Sequence, residues 1–341
     1  MIIRSKAPLR IGFAGGGSDV SPFSDLYGGA ILNATLNMYA YATIIPRNDG
    51  KIILRSLDKG IDLELKAVAE LDTTGELDLI KGIYNRIVKD YSNKPLSFEL
   101  NTHVDAPPGS GLGSSSTLVV TILGAFREWL NLPLGEYDLA HLAYQVERED
   151  MNMAGGKQDQ YAATFGGINF MEFYQNDKVI VNPLRIKTEV LDEMAYNMIL
   201  LNTNTSRLSS QIIQAQQENV KKNLKTSVDA MHHIKEQAHL MKEVLLKGEL
   251  DRMGEILNLG WEYKQKMADN IVTDDILELY TKAMNAGASG GKISGAGGGG
   301  FMLFYCPNNS RHAVIEELNK LNVHIHRFEF TKTGLRTWKT E

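Results

Sequence analysis

Between Pro107 and Thr117 the chain runs PPGSGLGSSST, set between an extended segment, Leu96 to Val104, and an apolar helical pattern carried by Leu118, Val119, Ile122, Leu123, Phe126 and Leu130. Such a stretch must turn a strand into a helix with almost no side chain to fill the turn. At the mouth of a helix the first N–H groups lack intrahelical partners and the positive end of the dipole faces outward, so an anion binds there readily. Gly109, Gly111 and Gly113 let backbone wrap closely around a phosphate chain. Ser114, Ser115 and Ser116 offer hydroxyls that cap the helix or ligate a metal ion. The segment reads as a triphosphate cradle, against the alternative of a plain helix start with a flexible entry. It is not a Walker P-loop, because no Lys precedes the final Ser or Thr.

A chain of 341 residues suits about two domains, since single cores stop growing near roughly 250 to 300 residues. Apolar content of 43% supports globular cores. The net charge of −5 and the short basic cluster Lys221, Lys222 and Lys225 argue against a nucleic-acid partner. A single cysteine, Cys306, excludes an internal disulfide and fits a reducing compartment. No run approaches the ~18 apolar residues of a membrane span, and MIIRSKAPLRIGF lacks a signal-length apolar core. The expectation is a soluble cytoplasmic protein with no membrane partner; nothing in the pattern sets an oligomeric state.

Along the first half, Ile2 to Phe13 reads as one or two strands, and Gly15, Gly16 and Gly17 form a turn presenting Ser18 and Asp19. A carboxylate held this way suits a polyhydroxyl ligand, because it accepts from two adjacent hydroxyls; alternatively Asp19 caps a helix over Pro22 to Leu26. Residues 29–66 are mostly β, with Asp49-Gly50 as a hairpin turn signal. A helix is expected over Leu77 to Tyr91, and another is marked by Leu139, Leu142, Ala143 and Val146. Glu147 stands at the edge of that stripe, within reach of a cleft but not wholly buried. Asp159 falls in the first turns of a short helix after Gly155-Gly156, where the dipole favours an ionised carboxylate and hence a general base.

A boundary is expected near 185–195. After it come a strand over Tyr196 to Asn202, several helices, strands at Lys292 to Ser294 and Phe301 to Cys306, a helix over Arg311 to Leu321, and a last strand over His324 to Phe330. That order is the split βαββαβ plan of ferredoxin-like domains. Between two of the strands lies KISGAGGGGF. Gly295, Gly297 and Gly300 match GxGxxG, but a strand follows instead of a helix, so the dinucleotide reading fails. Such a loop brings backbone against a neighbouring loop or a ligand, and Lys292 at its entry favours phosphate. The GxSxG match at Gly287 to Gly291 lacks the strand an esterase elbow needs, and neither the pair His232, His233 nor the pair His324, His326 has a third ligand at metal-site spacing.

The three motifs APLRIGFAGGGSD, PPGSGLGSSS and KISGAGGGG, in that order, resemble the GHMP small-molecule kinases, the family of galactokinase and of homoserine, mevalonate and phosphomevalonate kinases, over nearly the whole chain. The resemblance implies an α+β two-domain architecture: an N-terminal ribosomal-protein-like α/β domain over 1–185 that binds ATP and sugar, and a C-terminal ferredoxin-like domain with added helices over 186–341. It implies ATP around Gly109, Ser110, Gly111, Leu112, Gly113, Ser114 and Ser115 together with Gly295, Gly297 and Gly298. It also implies Mg²⁺ on Ser115 and Glu147, and Asp159 and Arg10 as the catalytic pair. Glu147 precedes Asp159 by twelve residues, as in galactokinase-like members.

The first motif has GGGSD where galactokinase has a Gly-Glu-His run. With GGKQDQYAATFGG and TSRLSS, this texture is similar to the D-glycero-D-manno-heptose 7-phosphate kinases and the related fucokinases within the family. The implied reaction is phosphorylation of the anomeric hydroxyl of the heptose phosphate to a 1,7-bisphosphate, for nucleotide-activated heptose and surface polysaccharide. The partners are then ATP and a small sugar phosphate, with Gly17, Ser18 and Asp19 on the sugar and Lys157 and Arg207 on its phosphate. Another sugar 1-kinase of the family, or a non-catalytic sugar sensor on the same fold, stands as the alternative.

Overall fold

The computed structural model describes residues 1–204, 209–268, 271–321 and 323–341. Its first sheet takes β1 (Ile2–Ala14), β2 (Gly29–Pro46), β3 (Lys51–Ser56), β4 (Ile61–Lys66), β5 (Phe98–Val104), β6 (Ile168–Phe173), β7 (Val179–Pro183) and, from the chain end, β12 (Arg336–Thr340). Its helices are α1 (Phe23–Tyr27), α2 (Asp78–Ile87), α3 (Ser114–Leu130), α4 (Glu136–Gln145) and α5 (Gln158–Phe165). The second half adds α6 (Thr188–Asn197), β8 (Met198–Asn202), α7 (Ser209–Lys221), α8 (Lys225–Lys247), α9 (Met253–Lys264), α10 (Asp274–Asn285), β9 (Gly290–Ile293), β10 (Phe301–Tyr305), α11 (Arg311–Leu318) and β11 (His324–His326). Among the described residues no helix is long and apolar enough to cross a membrane.

Strand β2 organises the first sheet. Its later half alternates as the sequence does, with Ala40, Ala42 and Ile44 buried and Tyr39, Tyr41 and Thr43 half-exposed, because successive side chains of a strand face opposite ways. Antiparallel to it run β1 on one side and, on the other, β6 along its first residues and β5 along its last. The order is β12-β1-β2-β5-β3-β4, with β6 and β7 continuing from the other end of β2. Within β1 the register shifts between Pro8 and Arg10 and again between Gly12 and Ala14. Such irregularities re-aim side chains, and here they bracket Arg10 and Gly12, both of which reach the cleft described below.

The second sheet runs β11-β8-β10-β9, antiparallel throughout, the strand order of a ferredoxin-like unit. One apolar core joins the two sheets: Leu9, Ile11, Leu32 and Leu36 from the first pack with Met241 and Leu245 of α8, Leu257 of α9, and Leu200, Phe301 and Leu303 of the second. A separate core lies under α2, α3 and α4, around Phe98, Phe126 and Ile44.

Several expectations need correction. Asp49-Gly50 does not make a β2–β3 hairpin: β5 inserts between those strands, pairing antiparallel with β2 and parallel with β3. Ser97, just ahead of β5, occupies the gap, its carbonyl accepting from Arg47 N and its hydroxyl donating to Lys51 O. The strand expected over Tyr196 to Asn202 begins at Met198, because α6 runs from Thr188 through Tyr196 and Asn197. The last strand of the second sheet stops at His326, and the chain then crosses back so that β12 pairs with Ile2 to Lys6 of β1. The first sheet is therefore not built from residues 1–185 alone. No apolar run marks β12, whose residues are mostly exposed.

Phe98 tests the core under the helices. It is 0% exposed, with ring centroids 5.9 Å from Tyr84, 5.3 Å from Phe126 and 5.7 Å from Trp129. Phe98→Ala is expected to lower the unfolding free energy by about 3 to 5 kcal/mol, read from the shift of the denaturant midpoint. A loss below about 1 kcal/mol would contradict this packing.

Candidate active site

The three glycine-rich segments meet at one cleft of about 570 Å³. Gly16 and Gly17 line it from the first, Gly109, Gly111, Gly113, Ser114 and Ser115 from the second, and Gly295 and Ala296 from the third. The second and third are in backbone contact. A Cβ on Gly111 would sit 2.4 Å from Ser294 O, and one on Gly300 2.5 Å from Ser110 O. Hydrogen bonds fix the crossing: Phe301 N donates to Ser110 O at 2.8 Å and the Ser294 hydroxyl to Gly111 O at 2.8 Å. The third glycine run packs on the serine loop, as the close-packing reading expects, and its Gly295 and Ala296 also line the cleft.

At the end of the serine loop Gly113 adopts a left-handed φ of 75° and brings no side chain to cap α3. The first helical hydrogen bond is Thr117 N to Gly113 O, 2.9 Å. The N–H groups of Ser114, Ser115 and Ser116 therefore lie ahead of the ladder. The first turn of α3 contains no acidic residue of its own, so within the helix nothing offsets the positive end of the dipole.

Arg10 ties this mouth to Asp159. Its backbone N–H donates to Leu112 O at 3.0 Å, its Nη1 to Gly111 O at 2.5 Å and its Nε to Asp159 Oδ1 at 2.6 Å. The guanidinium is almost wholly buried, while the carboxylate keeps 21% exposure. A Cβ on Gly113 would lie 3.3 Å from Asp159 Oδ2, so the second carboxylate oxygen stands against the helix mouth.

Glu147 is buried, at 1% exposure, rather than at the edge of an exposed face. The cause is local: after Gln145 the helix widens into a π turn over Val146–Asp150, in which Met151 N reaches back five residues to Val146 O at 3.0 Å. A widened turn of this kind changes the direction of the side chains on it. The carboxylate accepts from Gln160 Nε2, which also donates to the Ser116 hydroxyl at 3.3 Å. Arg148 Nη2 stands 3.8 Å away. A buried carboxylate whose close partner is a neutral amide is under-compensated, and its place in the cleft fits a divalent cation.

On the opposite wall the Ser18 hydroxyl donates to Gly15 O at 2.8 Å and accepts from Ala30 N at 3.1 Å, tying the first glycine loop to β2. Asp19 does not cap α1. Its Oδ2 accepts from Lys157 N at 2.9 Å and Gln158 N at 3.0 Å, capping α5 from a distant part of the chain. Gly156 makes room, since a Cβ there would lie 1.9 Å from that oxygen. Asp19 Oδ1, Gln158 Oε1 and Gln216 Nε2 are buried without a hydrogen-bond partner, and all three residues line the cleft.

Two lysines from the second half close the wall. Lys264 Nζ approaches Gly16 O at 3.5 Å and Lys292 Nζ donates to Gly12 O at 2.9 Å. Burial pushes Lys264 down to about 8; the Asp19 charge opposes this and the Arg10 charge adds to it. Lys292 is pushed down to about 7 by burial, then by Lys264 and Arg10. The carboxyl of Asp19 is raised by burial, with the N–H of Gln158 pulling the other way and the Asp159 charge adding to the rise.

Of the residues expected at the site, Arg10, Gly17, Asp19, Gly109, Gly111, Gly113, Ser114, Ser115, Glu147, Asp159 and Gly295 line the cleft. Others do not. Ser110 and Leu112 are buried on the inner side of the serine loop. Gly297 and Gly298 are buried, a Cβ on Gly297 would meet Ile271, and Gly298 N donates to Ile271 O. The Ser18 hydroxyl is engaged as above. The Lys157 side chain points away into an ion pair, 2.7 Å from Asp177 and 3.6 Å from Asp25. Arg207 lies outside the described residues. Sequence reasoning missed Lys264, Gln216, Gln158 and Arg148, whose helices look like ordinary amphipathic segments.

The depressed lysine sets a pH test. An unfolded lysine titrates near ~10.4, so between about 7 and that value the unfolded chain binds more protons than the folded one. The penalty of Lys292 is then full below about pH 7 and is relieved as pH rises. Lys292→Met should have a higher denaturant midpoint than the wild type at about pH 6.5, with the gap narrowing steadily from about pH 7 and closing only as pH nears about 10.4. A gap that stays constant would contradict the desolvation of this half-buried ammonium.

The comparisons with known proteins agree with this geometry. The model of the GHMP kinases N-terminal domain matches residues 78–167, and that of the GHMP kinases C-terminal domain matches 241–324. The chain is 47% identical over 339 residues, 99% of each chain, to the D-glycero-alpha-D-manno-heptose 7-phosphate kinase of Campylobacter jejuni. The crystal structure of a D-glycero-D-manno-heptose 1-phosphate kinase from Bacteroides thetaiotaomicron superposes with a TM-score of 0.86 at 46% identity, covering 99% of both chains. Galactokinase of Lactococcus lactis shares the fold at a TM-score of 0.74 and 20% identity, covering 98% of this chain and 95% of its own. The chain belongs to the GHMP kinase family, with that family's two-domain fold.

Proposed function

We propose that the protein transfers the γ-phosphoryl group of ATP to the anomeric hydroxyl of D-glycero-D-manno-heptose 7-phosphate, giving the 1,7-bisphosphate. The observation that carries this reading is the set of orphaned polar atoms on Asp19, Gln158 and Gln216 in the same cleft as the Arg10–Asp159 pair and the open mouth of α3. Buried polar atoms without partners are costly, and a polyhydroxyl ligand would satisfy them. The near-full-length likeness to the two heptose kinases named above supports the choice of sugar.

The N–H groups of Ser114, Ser115 and Ser116 hold the β- and γ-phosphates, while Arg10 and Lys292 meet the charge on the phosphoryl group as it moves. Asp159 is held through Oδ1 by Arg10 and takes the hydroxyl proton on Oδ2. As the acceptor oxygen bonds to the γ-phosphorus, the bond to the β–γ bridging oxygen breaks and its electron pair leaves with ADP. Glu147 and a hydroxyl of the serine loop, Ser115 or the more deeply set Ser116, would hold Mg²⁺. Bound there, the ion neutralises phosphate charge.

A panel of heptose 7-phosphate, heptose 1-phosphate, fucose and galactose, read by sugar-dependent ADP release and by phosphorus NMR of the product, tests the proposal. Turnover with heptose 7-phosphate and a new ester at C1 are expected. Preference for fucose would favour the second reading, and no ADP release with any sugar would favour a sensor. Asp159→Asn should lower kcat by about 10²- to 10⁴-fold while ATP still binds. Near-normal turnover would remove Asp159 from its role.

A further inference from the structure

The wall opposite the serine loop holds a cation that the phosphoryl transfer above does not use. Lys264 is the last residue of α9 and is 5% exposed. Among the described residues no carboxylate lies within 4.0 Å of its ammonium, and its one hydrogen bond is the long contact to Gly16 O. An ammonium held this far from water without an ion pair costs several kcal/mol. Beside it is Gln216, 2% exposed, whose Nε2 donates to nothing. Both come to the backbone at Gly17, where a Cβ would meet the Met267 methyl at 2.6 Å and stand 3.7 Å from Lys264 Nζ and 3.6 Å from Gln216 Oε1. Across the same loop Asp19 Oδ1 stands unpartnered.

A ligand that satisfies this corner must bring an anion for Lys264, an acceptor for Gln216 Nε2 and hydroxyl donors for Asp19. A neutral sugar supplies hydroxyls for Asp19 and Gln216 but no anion for Lys264, and on the kinase reading the nucleotide phosphates take the mouth of α3 on the other glycine loop. We propose that Lys264, seconded by Gln216, is the residue that recognises the phosphate of a phosphorylated acceptor and so sets the preference for a sugar phosphate over the free sugar. The inference rests on the kinase reading above and assigns the acceptor phosphate to α9 instead of Lys157, which is committed to Asp25 and Asp177.

Steady-state kinetics of Lys264→Met, Lys264→Arg and the wild type, with heptose 7-phosphate and unphosphorylated heptose as acceptors, provide the test. Lys264→Met should raise KM for the sugar phosphate about tenfold or more, since a charge-assisted contact is lost. It should leave KM for ATP and KM for the free heptose within about twofold, and Lys264→Arg should restore most of the difference. Removal of an unpaired buried charge does not threaten the fold, and the thermal midpoint checks this. An equal effect on both acceptors, or a rise in KM for ATP, overturns the assignment. Calorimetric binding of heptose 7-phosphate without nucleotide separates this from the kinase reading: binding lost in Lys264→Met supports the subsite even if the wild type turns over no sugar, and unchanged binding refutes it.

Discussion

Two backbones touch where the serine loop crosses the third glycine loop, and the site depends on that contact. Gly111, Gly295 and Gly300 stand where any Cβ would overlap a neighbouring main chain, so the crossing closes only because three side chains are missing. Residues some 180 positions apart are thereby hydrogen-bonded, with Ser294 on Gly111 and Phe301 on Ser110. The same crossing presents the N–H groups at the start of α3 to the cleft and gives Arg10 a carbonyl to grip beside Asp159. A core shared by both sheets, from Leu9 and Leu32 to Phe301 and Leu303, holds the halves in register.

Charge is arranged around that crossing so that cations exceed their partners. Arg10 is matched by Asp159, but Lys264 and Lys292 face carbonyl oxygens, and the protonation of Lys292 is depressed by burial and then by Lys264. Without a ligand this is an unfavourable arrangement, since buried like charges repel in a medium of low dielectric constant. A triphosphate and a sugar phosphate reverse the balance, and binding energy of this kind is available to position the reacting groups. Glu147 is a buried carboxylate whose hydrogen-bond partner is a neutral amide and whose nearest guanidinium, Arg148, stands 3.8 Å away, next to the place where phosphate oxygens and a metal ion would meet it.

Much of this was legible in the sequence because it is local. Glycine runs mark turns whatever surrounds them, β2 alternates with period two, and the order of strands and helices after residue 195 gave the ferredoxin-like plan. Long-range pairing was not legible. Asp49-Gly50 has hairpin chemistry, yet β5 takes the place beside β2, and β12 joins β1 without an apolar run of its own. At the site, residues carried by the glycine loops were found, as were Glu147 and Asp159 on the helical segments next to glycine breaks, whereas those arriving from helices of the second half were not. Lys264 and Gln216 sit on helices whose neighbours are ordinary solvated polar residues, and only the tertiary arrangement shows that these two turn inward. Lys157 failed for the reverse reason: its spacing from Asp159 suggested the cleft, but from its place just ahead of α5 its side chain turns toward Asp177.

The most direct measurement is a crystal structure of the protein with a non-hydrolysable ATP analogue, Mg²⁺ and heptose 7-phosphate. The expected result is a β,γ-phosphate pair on the N–H groups at the start of α3, with the anomeric hydroxyl facing Asp159 Oδ2 and sugar hydroxyls on Asp19. A nucleotide bound elsewhere, or a sugar whose reacting hydroxyl is out of line with the γ-phosphorus and away from Asp159, would contradict a single cleft built by the three glycine loops.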